Sequence, residues 1–403
     1  MSATASRLIV TVAPHRLLFS IGALNLLLAM AWWTGWIAHL RLGIGAVPLG
    51  DFPGGSLHAL VMPYLVLGPF IFGFLFTVFP RWMPVAPFER WHYVPSAGCL
   101  LAAQVLLLAS AWLGRSALTV AAIVGLAGWV NGAVLLLHRL LQDRTGCLHA
   151  RVIALAVGAG VLGWLLFVAH LWTGEPGLLL AARRVGVLGL LLPVFLAVAH
   201  RMFPFFAQCV DPAYRPWRPA WWAYSVLLAS WSGAALELLG VAGGAGWAGI
   251  PLFFLGLLWC WRTWPAAGSP FVLRALFLGM LWMPAGAWLL ALHAVLPWWT
   301  GAAVPFNAAL HAWTVGMFGS LLVAMVSRVS RGHSGRPITM NAVDIAAFWA
   351  IQVVAVWRIA AEWAGDVWLM HGLGAALWVL VLTPWLVQHL GYWLAPRIDG
   401  KPG

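Results

Sequence analysis

Twelve apolar runs divide the chain, separated by short polar breaks. They fall near residues 17–38, 58–80, 94–114, 117–138, 151–172, 184–207, 220–241, 246–262, 272–296, 303–327, 342–363 and 368–394. Each is close to the roughly 20 residues that a helix needs to cross a bilayer. In lipid every backbone N–H and C=O must be satisfied internally, which a helix does without a partner strand. The pattern therefore predicts an all-α polytopic membrane protein of about 12 transmembrane helices, with residues 1–403 forming a single bundle domain. The eighth run carries the weakest signal, because Gly243, Gly244, Gly246, Gly249 and Pro251 crowd its start.

Composition strengthens this reading. Of the 403 residues 63% are hydrophobic and 8% charged, against roughly a quarter charged in a soluble domain. So few charges cannot cover a water-facing surface, and lipid is the partner implied. The 29 tryptophans fit the same picture, since indole favours the headgroup boundary. Cys99, Cys147, Cys209 and Cys260 form no CxxC pair and no CxxCH haem-attachment motif, and read as small apolar fillers. The first run is long enough to be kept as a span rather than cleaved as a leader. A GxxxxGK[ST] phosphate loop is absent, so ATP-driven transport has no support.

The net charge is +12. On a soluble chain that would suggest nucleic acid, but here topology accounts for it. With the N-terminus in the cytoplasm, Arg7, Arg16, Arg81, Arg90, Arg139, Arg144, Arg151, Arg201, Arg215, Arg218, Arg262, Arg274, Arg328, Arg331, Arg336, Arg397 and Lys401 face inward. Arg41, Arg115, Arg183, Arg184 and Arg358 face outward, a division of 17 against 5. The positive-inside bias then places both termini in the cytoplasm.

Chemistry gathers at three helix ends. Helix 2 closes with FTVFPRWMP (76–84), helix 6 with AHRMFPFFAQ (199–208) and helix 10 with MVSRVSRGHSGRP (325–337). Equivalent ends at positions 2, 6 and 10 suggest three pseudo-symmetric four-helix arcs. Arg81, His200, Arg201, Arg328, His333 and Arg336 form a candidate inner basic pocket for propionates, an anion or a metal. Contact with lipid headgroups is the plainer reading of the same charges.

Most of the 13 histidines sit at segment ends, where interfacial placement explains them. His58 and His311 lie within spans, in the outer half, and an imidazole inside lipid is a functional candidate because it is costly without a partner. A haem iron is one such partner, with the two histidines as its axial ligands. A hydrogen bond to a neighbouring helix is the alternative. Met62 lies four residues after His58, and thioether with imidazole suits copper, although a core filler is the commoner role of methionine. Glu237 and Glu362 are candidate proton-relay acids. Arg358 and Glu362 have the i, i+4 spacing of an intrahelical ion pair.

LHAWTVGMFGSLLVAMVSRVSRGHSGRP (310–337) resembles the signature of the NnrS family. HALVM…GFLFTVFPRW (58–82) and AHRMFPFF (199–206) are similar to its other two motifs. The resemblance covers most of the chain. It implies a bacterial inner-membrane protein carrying haem and copper and acting in the response to nitric oxide and nitrosative stress. For this chain it implies b-type haem on His58 and His311, and an inner site on His200 and His333 with Arg81, Arg201, Arg328 and Arg336 supplying charge. Of the family's helix-2 motif His58 and Met62 remain as metal-ligand candidates, and His200 is a separate metal candidate at the inner site. The family commonly reads HAHEM at the start of helix 2, whereas here Leu60 and Val61 replace the second histidine and the glutamate.

The twelve spans also resemble the catalytic subunit of haem-copper oxidases, whose second and tenth helices hold a low-spin haem. Helix 7, WWAYSVLLASWSGAALELLG, lacks the adjacent histidine pair of that enzyme class, so its binuclear centre and oxygen reduction are not expected. Nitric oxide or a small anion is the expected ligand, and a quinone or cytochrome the expected electron donor. Two other classes stay open. One is a cofactor-free transporter of a small anion or metabolite. The other is an assembly factor that handles haem or copper.

Overall fold

The computed structural model describes residues 9–45 and 52–400. Arg7 and Lys401, counted above among the inward-facing charges, lie outside the described residues. Strands are absent among the described residues. In chain order the helices are α1 (Pro14–Leu42), α2 (Gly54–Trp82), α3 (Arg90–Leu113), α4 (Arg115–Leu141), α5 (Leu148–Thr173) and α6 (Pro176–Val210). They continue with α7 (Ala220–Leu238), α8 (Gly246–Thr263), α9 (Phe271–Thr300), α10 (Phe306–His333), α11 (Ala342–Trp363) and α12 (Val367–Leu394). Ten are long and apolar enough to cross a membrane, and α7 and α8 are the two that fall short of that mark.

The charged residues sit where the helices begin and end. Odd-numbered helices start beside Arg16, Arg90, Arg151, Arg218 and Arg274. Even-numbered ones close beside Arg81, Arg139, Arg262, Arg331 and Arg397.

The chain groups into two compact units. The first comprises Met1–Leu190, His333–Arg336 and Leu386–Gly403. Within it α3 packs along α4, α1 packs along α2 and α3, and α5 packs along α4 and the start of α6. Aromatic side chains fill its centre: Tyr64, Phe72, Trp129 and Trp164 are buried and meet edge to face or tilted, at 4.9–5.6 Å between ring centroids.

The second unit comprises Leu191–Gly332 and Pro337–Trp385. Its tightest pair is α8 with α9. A Cβ at Gly249 would strike the backbone of Ala287 and Ala291, and one at Gly256 would lie 3.1 Å from Pro284. Gly249, one of the glycines that weaken the eighth run's apolar signal, is thus on its contact face with Gly256, as small residues are where membrane helices approach closely. Gln352 of α11 links three helices. It accepts from Trp282 Nε1 of α9 at 2.7 Å and donates to Ser320 Oγ of α10 at 2.7 Å.

Three helices change winding midway. The i→i−4 ladder gives way to π-helical turns at Met62–Val66 in α2, Val185–Leu191 in α6 and Ala312–Gly319 in α10. Prolines accompany two of them, Pro63 within the first and Pro193 just after the second, and a proline removes one N–H donor from the ladder. The carbonyls left over in α2 find other donors, as buried groups must. Trp129 Nε1 donates to Tyr64 O at 3.2 Å and Asn25 Nδ2 to Leu65 O at 2.6 Å. Single π turns recur at functional sites. Their presence in α2, α6 and α10 matches the equivalence that the three helix-end motifs suggest.

Candidate functional site

His311 ends the first α-helical turns of α10, immediately before its π segment. Its Nδ1 lies 2.7 Å from Asn307 O one turn back, a bond in which the ring nitrogen donates. That leaves Nε2 as the nitrogen with the lone pair, the arrangement found in ligating imidazoles. Arg358 of α11 places Nη2 2.8 Å from this Nε2. The same guanidinium lies 3.6 Å from Glu362 Oε1, one turn further along α11, so the expected i, i+4 pair is present. Glu362 Oε1 also meets His371 Nε2 of α12 at 2.9 Å and His311 Nδ1 at 4.0 Å. Two imidazoles, one guanidinium and one carboxylate are thereby joined on α10, α11 and α12. All four side chains are at most 19% exposed, so screening by water is weak and each bond counts.

A metal at His311 would have to take the nitrogen that Arg358 engages. With Nδ1 committed to Asn307 O, Nε2 is the nitrogen of His311 that a metal would take, and its lone pair is engaged by Arg358. The guanidinium already has Glu362 beside it, and turning wholly to that carboxylate frees Nε2. His58, in α2 four residues before the π segment, lies in the first unit. Its ring stacks on Trp33 of α1, with centroids 4.5 Å apart and planes 15° apart. Among the described residues no three histidine, cysteine, aspartate or glutamate side chains come together as a metal site. Met62 begins the first π segment, half-buried.

The basic residues of the three helix ends belong to separate units. In the first unit the His333 ring packs against that of His15, with centroids 4.2 Å apart. Arg81, Arg397 and Arg16 are its charged neighbours. Arg16 is buried and donates to Trp393 O and Ala395 O at 3.2 and 2.7 Å, and Arg336 lies over the Tyr392 ring at 4.1 Å. In the second unit His200 is fully buried and stacks on Trp222 at 4.9 Å. Arg328 lies over Phe206 at 3.9 Å. Arg218, in the loop after α6, is the charged neighbour of His200. Burial first, and then the charge of Arg201, pulls the Arg218 pKa below its ordinary value.

Glu237 is placed at the α7–α8 turn, where its Oε2 accepts from the Ala245 N–H at 3.2 Å. Sequence reasoning passed over two residues that the structure makes central. Asp344, fully buried, pairs with Arg331 at 2.8–2.9 Å, and its other oxygen accepts from Ser327 Oγ at 3.3 Å. The legible signal was N-x-x-D over 341–344, a capping box that opens α11. His371 was read as interfacial, and nothing local in the sequence pairs it with Glu362.

The fold and these clusters define a class: an α-helical, multi-pass membrane protein with imidazole and guanidinium groups set into its spans. The sequence matches the family model described as NnrS protein over residues 9–397, and the chain belongs to that family. A search of curated proteins finds no match.

Proposed function

We propose that this chain is a haem-binding protein of the bacterial inner membrane, both termini cytoplasmic, that acts in the response to nitric oxide. His58 and His311 are its candidate iron ligands, and the arginines beside His333 and His200 are candidates to supply positive charge for propionates or another anion. The observation that carries the reading is the His311 ring, fixed through Nδ1 by Asn307 O with Nε2 directed at a displaceable cation. Family membership supports the nitric oxide context. Bound haem would supply a site for redox chemistry or for NO. Around it the chain's own groups have defined tasks. Asn307 sets the imidazole tautomer, Arg358 covers Nε2 when no ligand is there, and Glu362 with His371 can pass a proton along the α11–α12 contact. Copper would rest on His58 and Met62 of α2, one helical turn apart, and on the family.

The test is the visible spectrum of the detergent-purified protein, oxidised and dithionite-reduced, for wild type, His58→Ala and His311→Ala. Sharp reduced α-bands in wild type that are lost in both variants are expected, followed by a shift on titration with NO. A colourless wild type from haem-replete cells overturns the reading. A second reading, a small-anion transporter, is favoured by the gathering of Arg16, Arg81 and Arg397 around His333. It predicts anion uptake into vesicles by that colourless protein.

A further inference from the structure

The first unit contains a cavity of about 410 Å³ that belongs to neither histidine–arginine cluster. It lies among α1, the α3–α4 turn, α5 and the start of α6, at the end of α1 remote from Arg16. Phe52, Leu57, Leu118 and Leu171 give it apolar walls. Its polar side chains are few, and each has a defined role. His170 lies with Nδ1 2.8 Å from Glu175 O, to which it donates, so Nε2 is the nitrogen that can accept. Trp32 is 8% exposed, and its indole N–H has no hydrogen-bond partner among the described residues. Arg115 spends one N–H on Leu171 O at 2.7 Å and keeps others. Ser110 donates to Leu107 O at 2.6 Å.

A cavity with one imidazole acceptor, one unspent indole donor, a cation and otherwise greasy walls suits a planar molecule whose rim carries hydroxyl or carbonyl oxygens. Buried donors left unpaired are costly, which gives the Trp32 N–H a reason to meet an oxygen. Its apolar walls come from helices long and apolar enough to cross a membrane, so an occupant that partitions into lipid suits it.

We propose that this cavity binds the headgroup of a membrane quinone or quinol, with His170 Nε2 accepting a hydrogen bond from a quinol hydroxyl and the Trp32 N–H and Arg115 donating to ring oxygen. The site is next to His58. Trp32 and Trp33 stack at 6.1 Å between centroids, and Trp33 stacks on His58 at 4.5 Å. Binding of the headgroup stands on the cavity alone. Its meaning as the electron donor's seat rests on the haem reading above.

The test uses the full-length protein in nanodiscs and a short-chain azidoquinone, photolysed and mapped by peptide mass spectrometry, with decylubiquinone as competitor. Labelling on peptides containing Ser110–Leu118 or His170–Leu179, removed by decylubiquinone, is expected. Trp32→Phe keeps an aromatic ring, smaller than the indole, and deletes the donor, and should weaken competition about five- to tenfold. Leu118→Trp fills the cavity and should abolish labelling while the protein elutes as wild type on size exclusion. Labelling spread over the lipid-facing surface, labelling that survives Leu118→Trp, or competition by phospholipid acyl chains as effective as by decylubiquinone would each overturn the proposal. Loss of haem bands in His170→Ala with wild-type quinone labelling would do the same, because His170 would then be an iron ligand. The quinone measurement reads binding whether or not the preparation carries haem, so failure of one reading is distinguishable from failure of the other.

Discussion

Arg358 is the residue whose removal discriminates most sharply. Its Nη2 lies 2.8 Å from His311 Nε2, the atom that an iron would take in the proposed site. A hydrogen bond from a charged donor contributes about 1.5–3 kcal/mol. Occupation of Nε2 by iron would surrender that bond, so the proposed haem affinity of the wild type would be lowered by about 10- to 100-fold at 1.4 kcal/mol per decade. Part of the loss is recovered because the released guanidinium settles on Glu362, already 3.6 Å away. The lower end, about tenfold, is therefore the expected gain for Arg358→Leu. Glu362 keeps His371 at 2.9 Å in that variant, so its carboxylate is not abandoned. The assay is titration of haemin into haem-depleted protein in nanodiscs, followed at the Soret band. His311→Ala serves as the baseline, and the double variant as the control for binding elsewhere. An Arg358→Leu affinity equal to wild type would separate Arg358 from the ligand exchange. A weaker affinity would refute the reasoning outright, since it would mean that the guanidinium holds the haem, through a propionate, rather than guarding the imidazole.

Two further outcomes follow from packing. Asp344→Asn leaves Arg331 as a buried charge without its counter-ion, and should cost about 3–5 kcal/mol, read as a lowered thermal midpoint in detergent. The double variant Arg331→Met, Asp344→Leu should recover most of that loss, and an Asp344→Asn protein as stable as wild type would show the pair to be dispensable. A Cβ at Gly163 would collide with the Tyr64 hydroxyl, which donates to Ala182 O at 2.8 Å, so Gly163→Ala should cost about 1–3 kcal/mol. Adding Tyr64→Phe removes the clashing oxygen and should restore part of the midpoint, whereas additive losses would locate the strain elsewhere.

Different parts of the molecule were legible to different degrees, for physical reasons. Lipid permits few architectures, so an apolar run of adequate length reads as a helix almost regardless of its letters. All twelve expected segments are helices. The arginines at the ends of α2, α6 and α10 were visible because a charge terminates an apolar run. The π segments were not visible. A π turn shifts the hydrogen-bond ladder by one residue without changing composition, and only Pro63 and Pro193 hint at it. The eighth run shows the opposite failure. Its glycines read as weak membrane character, yet Gly249 and Gly256 are what lets α8 approach α9 so closely.

Partnerships between elements were the least legible feature, because spacing along one helix constrains only that helix. The Arg358–Glu362 pair follows from four residues of separation. The capture of His311 by Arg358, and of Glu362 by His371, depends on how α10, α11 and α12 pack, and no local pattern encodes it. The candidate basic pocket illustrates the same limit. Six residues chosen for equivalent places on three helices belong to two units, each group with charged neighbours that lie far from it in sequence. Arg16, Arg81 and Arg397 accompany His333, whereas Arg218 accompanies His200. Chemistry inside a membrane is written in residues that are costly to bury, so candidates are easy to find in a sequence. What each candidate does is set by the partner that offsets its burial, and that partner is a property of the packed structure.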